Sequence, residues 1–473
     1  MARTKIEYAG DFEILTCTIH TSEGNTIPLE NELVYIDIFE DIDNAAISGE
    51  LAIVDTMGNI QQTAPLIGQE LLELHIGIPG LGGEWDYRES YMHITSFVSR
   101  QNENKGQLLT MRFISREFVD NTRNTISQSF TGSSSDIVSQ IMRNIIKTNK
   151  DLYIEPSSDV KKIVSPDISP FDLIALCKRE AISKSYNSAT YHFYENKEGY
   201  NFRSLESMYS QATMQDYTLY VGNLIDCGNE EIEKQFSQLL NYEIEYSDDT
   251  SINQQVGQYG SRTIVHDIYN KRYDTSIYNY HESFEDEKHM NSFAGKSENP
   301  IYNSVGVDFD NNRISDFPIK TYLMPVSRKY PYKNTDGSHQ QAGLYNFSTG
   351  RPESRMGQRT SRMMQIKNGR DVTVTVHGNT LVSAGDMVEL NIPFKTGAVQ
   401  IDNRTVDRFA NGPHLVKRIR HSFRNGEKPM YFMYMTCAKD CIDEELRDEG
   451  IPDQGQSKQP LIISDFYGED ELH

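Results

Sequence analysis

Through the first 115 residues, apolar and polar positions alternate with a period of two. The segments "DFEILTCTI" (11–19), "ELVYIDIFED" (32–41), "SGELAIVD" (48–55), "QELLELHIGI" (69–78), "YMHITSFVS" (91–99) and "QLLTMRFIS" (107–115) read as strands. Turn residues in "SEGN", "MGN", "PGLGGE" and "NENKG" separate them. Six strands at this spacing predict a small antiparallel barrel or sandwich.

The period then changes. "TGSSSDIVSQIMRNIIKTN" (131–149) sets Ile137, Ile141 and Ile145 on one helical face. Its serines at 133–135 can cap, and Asp136 suits the first turn. "SPFDLIALCKREAIS" (169–183) predicts a second helix, capped by Ser169, with Pro170 at its first position and Asp172 near the positive end of its dipole. "ATYHFYENKEGYNFRSLESMY" (189–209) predicts a hairpin turning at "NKEG".

Strand patterns return at "YTLYVGN" (217–223), "LLNYEIEYS" (239–247), "DVTVTVHG" (371–378), "DMVELNIP" (386–393), "HLVKRIRHSF" (414–423) and "MYFMYMTC" (430–437). Residues 286–355 are polar with weak periodicity, which predicts a long insertion with little core of its own.

Part of the strand pattern occurs twice. "LIGQELLELHIGIP" (66–79) and "SAGDMVELNIP" (383–393) each set a Gly and an acidic or amide residue before alternating apolar positions, and each ends at Pro. Each is followed by a strand, a polar turn with Asn, Gly and Lys ("QNENKGQ" and "RNGEKP"), and another strand. This predicts two copies of one domain. Three such chains around an axis would display six similar domains, which converts a threefold object into a nearly sixfold ring.

Composition narrows the picture. A chain of 473 residues with 37% hydrophobic and 24% charged content predicts a folded, soluble protein of several domains. Its net charge of −22 opposes binding of free nucleic acid, although a negative channel wall would let DNA pass without sticking. The last 33 residues hold ten acidic groups against Arg447 and Lys458, a net −8, and predict an extended tail. Within it "QPLIISDFYGED" (459–470) is an apolar island. The start, "MARTKIEYAGDFEIL", has no signal-peptide pattern, and no apolar run reaches the ~18 residues of a membrane span. The expected compartment is a reducing cytoplasm.

The residues that could carry chemistry each have a structural reading. Five cysteines are too few and too scattered for a disulfide framework, and Cys437 and Cys441 read as buried or idle thiols rather than metal ligands. "PGLGGEW" (79–85) lacks the Lys-Ser/Thr of a phosphate loop and reads as a turn. His266 and Asp267 are adjacent on a strand and so point to opposite faces. Glu40, Asp41 and Asp43 read as a solvated strand end, and His377 and His421 as structural. No catalytic residue, metal ligand or cofactor site is assigned. The 27 tyrosines read as interface area.

At this point the sequence resembles the baseplate hub protein of T-even-type contractile-tailed phages, which is related to the hub module of type VI secretion spikes. The resemblance lies in the order of "VYIDIFEDIDNAAISGELAIVDTMGNI", "PLIGQELLELHI", "FTGSSSDIVSQIM", "SPFDLIALCKREAISKSYNSATYHFYENKEGYNFRSLESM", "GNTLVSAGDMVELNIP" and "LVKRIRHSF". It covers the chain to about residue 440 apart from 286–355. It implies a mainly β fold with an α+β insert, built from two homologous antiparallel β-barrel (tube-like) domains and a helix–hairpin interdomain module.

The expected organisation is a first tube-like domain at 1–116, the module at 117–211, a second tube-like domain at 212–285 and 356–440, the insertion at 286–355 and the acidic tail at 441–473. The implied role is a homotrimeric hub in the virion tail baseplate, assembled in the host cytoplasm. Its pseudo-sixfold ring would adapt a trimeric central spike to the sixfold tail tube or tube-initiator proteins, beside the baseplate wedge proteins, with DNA only in transit. No valine–glycine octad repeat follows residue 440, so a separate spike protein is implied, and the island residues Leu461, Ile462, Ile463, Phe466 and Tyr467 are the expected spike contact. A host-surface or glycan-binding adhesin is the alternative, and a wall-degrading tail enzyme a third reading.

Overall fold

The computed structural model describes residues 6–56, 66–103, 106–219, 234–246, 249–268, 271–290, 312–326, 347–348, 351–392 and 410–441. The tail island Leu461, Ile462, Ile463, Phe466 and Tyr467 and most of 286–355 lie outside them.

Six strands of the first unit fall where the alternation marks them: β1 (Glu13–His20), β2 (Leu33–Asp41), β3 (Ser48–Asp55), β4 (Leu71–Gly77), β5 (Met92–Glu103) and β6 (Gly106–Ile114). They pair antiparallel in the order β2-β3-β6-β5-β4-β1. Ile36, Ile38, Leu72, Leu74, Met111 and Phe113 bury one face of this sheet. Full burial of such a side chain stabilises by about 1.5–3 kcal/mol, and this fixes which face points inward.

A module of helices and a hairpin follows. Helix α1 is Arg116–Arg123 and α2 is Ser134–Gln140. Ser133 Oγ accepts the Asp136 N–H, and the Asp136 carboxylate accepts the Ser133 N–H, a reciprocal cap. Beyond Gln140 the backbone loosens into a π turn, Ile141–Ile146, closed by Lys147 at φ 57°. This corrects the helical face expected from sequence. The extra residue in the turn brings Ile146, not Ile145, into the core beside Ile137 and Ile141.

Helix α3 (Pro170–Glu180) starts at Ser169, as its capping pattern predicts, and buries Leu173, Ile174 and Cys177. The hairpin β7 (Tyr191–Asn196) and β8 (Gly199–Ser204) is buried on both faces. Tyr191 and Phe193 enter the module core, while Tyr194 enters a second cluster with helix α4 (Leu205–Tyr209).

The second unit opens with β9 (Thr213–Thr218) and β10 (Leu239–Tyr246). Next come β11 (Gly260–Asp267), β12 (Arg272–Asn279) and β13 (Lys320–Val326), which form a separate sheet in the order β12-β11-β13. β13 lies inside the stretch expected as an insertion, and His289 and Met290 from the same stretch are buried. Pro325 obscured this strand in the sequence; it is tolerated because β13 is an edge strand. Helix α5 (Met356–Asn368) leads to β14 (Arg370–His377), β15 (Met387–Asn391), β16 (Gly412–Arg424) and β17 (Met430–Lys439).

The second unit pairs in the order β10-β14-β17-β16, with β16-β15-β9 branching beside it. β16 also pairs antiparallel with β2, from Arg418↔Asp41 to Arg424↔Tyr35. With the short strands Thr26–Pro28 and Trp85–Asp86, this makes one 14-stranded sheet over one core that draws on both units. The fold is mainly β with an α+β insert. Two pairs of the second unit depart from the antiparallel expectation: β9 runs parallel to β15, and β11 to β13.

Candidate functional site

The duplicated pattern is a duplicated backbone. Strands β2, β3, β4, β5 and β6 pair in the order β2-β3-β6-β5-β4, and β10, β14, β15, β16 and β17 pair in the order β10-β14-β17-β16-β15. The irregularities match as well. A register shift between Leu33 and Tyr35 in β2 corresponds to one between Leu239 and Asn241 in β10. A shift between Ile94 and Ser96 in β5 corresponds to one between Val416 and Arg418 in β16.

The turn before the third strand recurs too. Glu70 accepts the Ile67 N–H at 2.6 Å, and Asp386 accepts the Ser383 N–H at 2.8 Å. The backbone carbonyl of the same residue accepts again, from the neighbouring strand: Ile94 N–H donates to Glu70 O, and Val416 N–H to Asp386 O. That is the physical use of the acidic residue at both sites. It satisfies turn donors that would otherwise be stranded.

The two units meet at the β2–β16 pair. Arg418 reaches Asp41 at 2.9 Å and Arg420 reaches Asp37 at 2.7 Å, while Ser422 Oγ donates to Asp37 at 2.7 Å. Arg424 lies 3.5 Å from Asp37 and stacks over the Tyr35 ring, 4.5 Å from its centroid. These groups stand on the face of the sheet turned away from the core. The face forms a concavity of about 750 Å³ lined by Phe39, Asp41, Glu50, Arg112, Arg420 and Tyr434, among others. Arg112 is also held by a carboxylate, Glu50, at 3.4 Å.

On the core side the joint is locked by Glu40. Its carboxylate is buried and accepts the Lys197 N–H at 2.6 Å and the Ala384 N–H at 2.7 Å. Lys197, in the turn of the β7–β8 hairpin, donates its Nζ to Gly83 O and Thr380 O. The hairpin thus ties loops of both units. Burial lowers the Lys197 pKa, opposed by the Glu40 charge. The solvated strand end expected at 40–43 is therefore wrong for Glu40. The period-two pattern shows which way its side chain points, but not that another unit lies there.

"PGLGGEW" is a turn whose carbonyls, at Gly82 and Gly83, accept from Thr380 and Lys197 of distant segments. His421 is buried, donates or accepts at Tyr431 Oη (2.7 Å) and meets Trp85 edge to face at 4.7 Å. His377 stacks on Phe432, and burial lowers the pKa of both histidines. Cys437 and Cys441 are buried in two different apolar clusters. Cys441, counted with the tail from sequence, is a core residue.

Each joint strand has a counterpart that is left open. β2 pairs with β3 and β16, whereas its counterpart β10 pairs with β14 only, among the described residues. β16 pairs with β17 and, along Arg418–Arg424, with β2. Its counterpart stretch in β5, Ser96–Glu103, pairs with β6 only among the described residues; β4 meets β5 at Met92 and His93.

No family model matches the chain. A probable baseplate hub protein of Vibrio phage KVP40 is 21% identical over 401 residues, which covers 83% of this chain and 87% of that protein. Among solved structures, a tail protein from Neisseria meningitidis MC58 aligns with TM-score 0.48 and 10% identity over 90% of this chain and 96% of that one. A 43 kDa tail protein of prophage MuSo2 from Shewanella oneidensis aligns with TM-score 0.46 and 9% identity over 91% of this chain and 99% of that one. The chain is thus similar along most of its length to a phage baseplate hub protein, the family its motif order resembles.

Proposed function

We propose that this chain is a structural, non-enzymatic baseplate hub of a phage tail that closes head to tail into a trimeric ring. The observation that carries this is the joint itself. One unit's β2 edge already pairs with the other unit's β16, and the counterpart edges, β10 and β5, are both open among the described residues. Unpaired sheet edges template pairing with another chain. A heterologous contact of this kind generates a ring when its rotation closes. Two units per chain and three chains give six similar units, so one face suits a sixfold tail tube and the other a trimeric spike.

The register of that contact follows from the repeat. Asp37↔Ser422 and Phe39↔Arg420 in the internal joint translate to Glu243↔Gln101 and Glu245↔Ser99 between copies. In this reading the two units, the interdomain module and the tail keep the roles expected from sequence. The face bearing Asp37, Asp41, Arg418 and Arg420 lines the passage for DNA, with its arginines held by carboxylates. The island Leu461, Ile462, Ile463, Phe466 and Tyr467 takes the spike.

A double variant, Gln101→Cys with Glu243→Cys, tests the ring. Directly opposed residues in an antiparallel pair bring Cα atoms within disulfide range. Oxidation is expected to give a covalent ladder that stops at three chains, with a light-scattering mass three times 54.1 kDa. Failure to crosslink in protein assembled with its spike would remove the ring.

A further inference from the structure

The three-stranded sheet β12-β11-β13 has one covered face and one bare face. Ser261 and Thr263 are buried on the covered side, where Gly357 of α5 lies against Tyr278 and Ser261. On the other side the register sets Leu323 and Thr275 beside Ile264, Thr321 and Ile277 beside Arg262, and Pro325 and Tyr273 beside His266. Tyr273 is 72% exposed, Leu323 70%, Ile277 63% and the neighbouring Ile319 55%. Large side chains clustered like this mark a docking surface. Arg262 and His266 stand among them without an ion pair to a described residue, and no described carboxylate shares the face. In a chain of net charge −22, this apolar face with Arg262 at its centre is out of character.

Such a face fits an apolar segment flanked by carboxylates. The segment 327–346 carries Arg328, Lys329 and Lys333 against Asp336, the wrong sign. The tail matches: "PLIISDFYGEDE" sets Leu461, Ile462, Ile463, Phe466 and Tyr467 beside Asp465, Glu469, Asp470 and Glu471. Its root is also near. Cys441 is buried in the cluster that contains Ile366 of α5 and Tyr280, with Tyr278 packed against it, beneath the covered face. From there the residues up to 459 can span roughly 60 Å, ample to round one sheet layer of ~10 Å.

We propose that the island 460–467 docks in cis on the bare face of β11–β13 and is handed to the spike when the spike arrives. The handover rests on the reading of the island as the spike contact; the docking does not. Apolar contact with Leu323, Ile277 and Tyr273 supplies the binding, and Arg262 and His266 set the orientation by meeting the acidic flank.

Hydroxyl-radical footprinting of the isolated chain tests this against a truncation ending at residue 450, which keeps Cys441. Tyr273, Ile277 and Leu323 are expected to react at least about threefold faster in the truncated chain, and a synthetic peptide of residues 459–473 restores protection. Arg262→Glu in the full chain is expected to lose protection without unfolding, since the side chain is solvent-exposed. Equal reactivity of full and truncated chains overturns the docking. Protection that fades on hundredfold dilution assigns the face to a second copy and also overturns it. A pull-down with the spike reads the spike contact separately, so either idea can fail alone.

Discussion

Arg420 donates to Asp37 at 2.7 Å across the strand pair that unites the two halves of the sheet. Asp37 is 4% exposed and also accepts from Ser422, so one carboxylate satisfies two groups of the opposing strand. Asp37→Ala is expected to lower stability by about 2 kcal/mol, as for hydrogen bonds to a charged group. Arg424→Ala, whose partner lies 3.5 Å away at a half-exposed site, is expected to cost under about 1 kcal/mol. Urea midpoints of the two variants check the ranking, and a larger loss in Arg424→Ala would reverse it.

Arg362 of α5 is fully buried among three carboxylates, with Asp440 at 3.3 Å, Glu206 at 3.5 Å and Glu287 at 3.8 Å. It also donates to Lys288 O and packs over the Tyr209 ring. Against the effect of burial, His289 and then Arg362 hold Asp440 well below the usual carboxylate range, while burial pushes Glu287 up. The guanidinium fastens residues 284–290 and α5 to the end of β17. Arg362→Met leaves buried charge uncompensated, and a loss of roughly 3–5 kcal/mol is expected. Thermal melts would show it; an unchanged melting temperature would mean the carboxylates are satisfied without the arginine.

Asp386 is pushed up to about 7, chiefly by burial. A carboxyl whose folded pKa exceeds its unfolded value binds its proton more tightly in the folded state. Stability therefore falls as pH rises from about 4 to about 7. Asp386→Asn removes this dependence, so the variant is expected to gain on the wild type across that window and level off above it. Chemical denaturation at pH 4.5, 6 and 8 measures the difference. A constant gap between the two proteins at all three would contradict the assignment.

Gly378, where β14 ends, lies against the Tyr431 ring with no space for a Cβ. Tyr431 in turn stacks on Phe423 at 4.1 Å and bonds His421, which meets Trp85. Gly378→Ala is expected to shift this aromatic stack at a cost of about 1–3 kcal/mol. Trp85 is the single tryptophan, so its emission reads the shift directly. An unperturbed spectrum would show that Tyr431 gives way without moving its neighbours.

Much of this fold was legible in the residues. Alternation marked β1 to β6, β10 and β14 to β17 because each buries one face, and burial of Ile36, Leu72 or Val374 tolerates only one parity; β11, β12 and β13 carried no such mark. Ser133 and Ser169 announced their helices because capping is a local bond. The repeat was legible because its shared turn needs an acidic acceptor at Glu70 and at Asp386. What depended on distant partners was not. Ile146 replaced Ile145 in the core once packing drew the backbone into a π turn. Glu40 is buried because Lys197 and Ala384, far along the chain, bring donors to it. The β2–β16 joint and the two edges left open among the described residues are set by which strands meet, and edge pairing runs through backbone groups that every residue but proline carries. Local pattern therefore determined the elements and their inward faces, while only the tertiary structure decided which edges are used and which remain open.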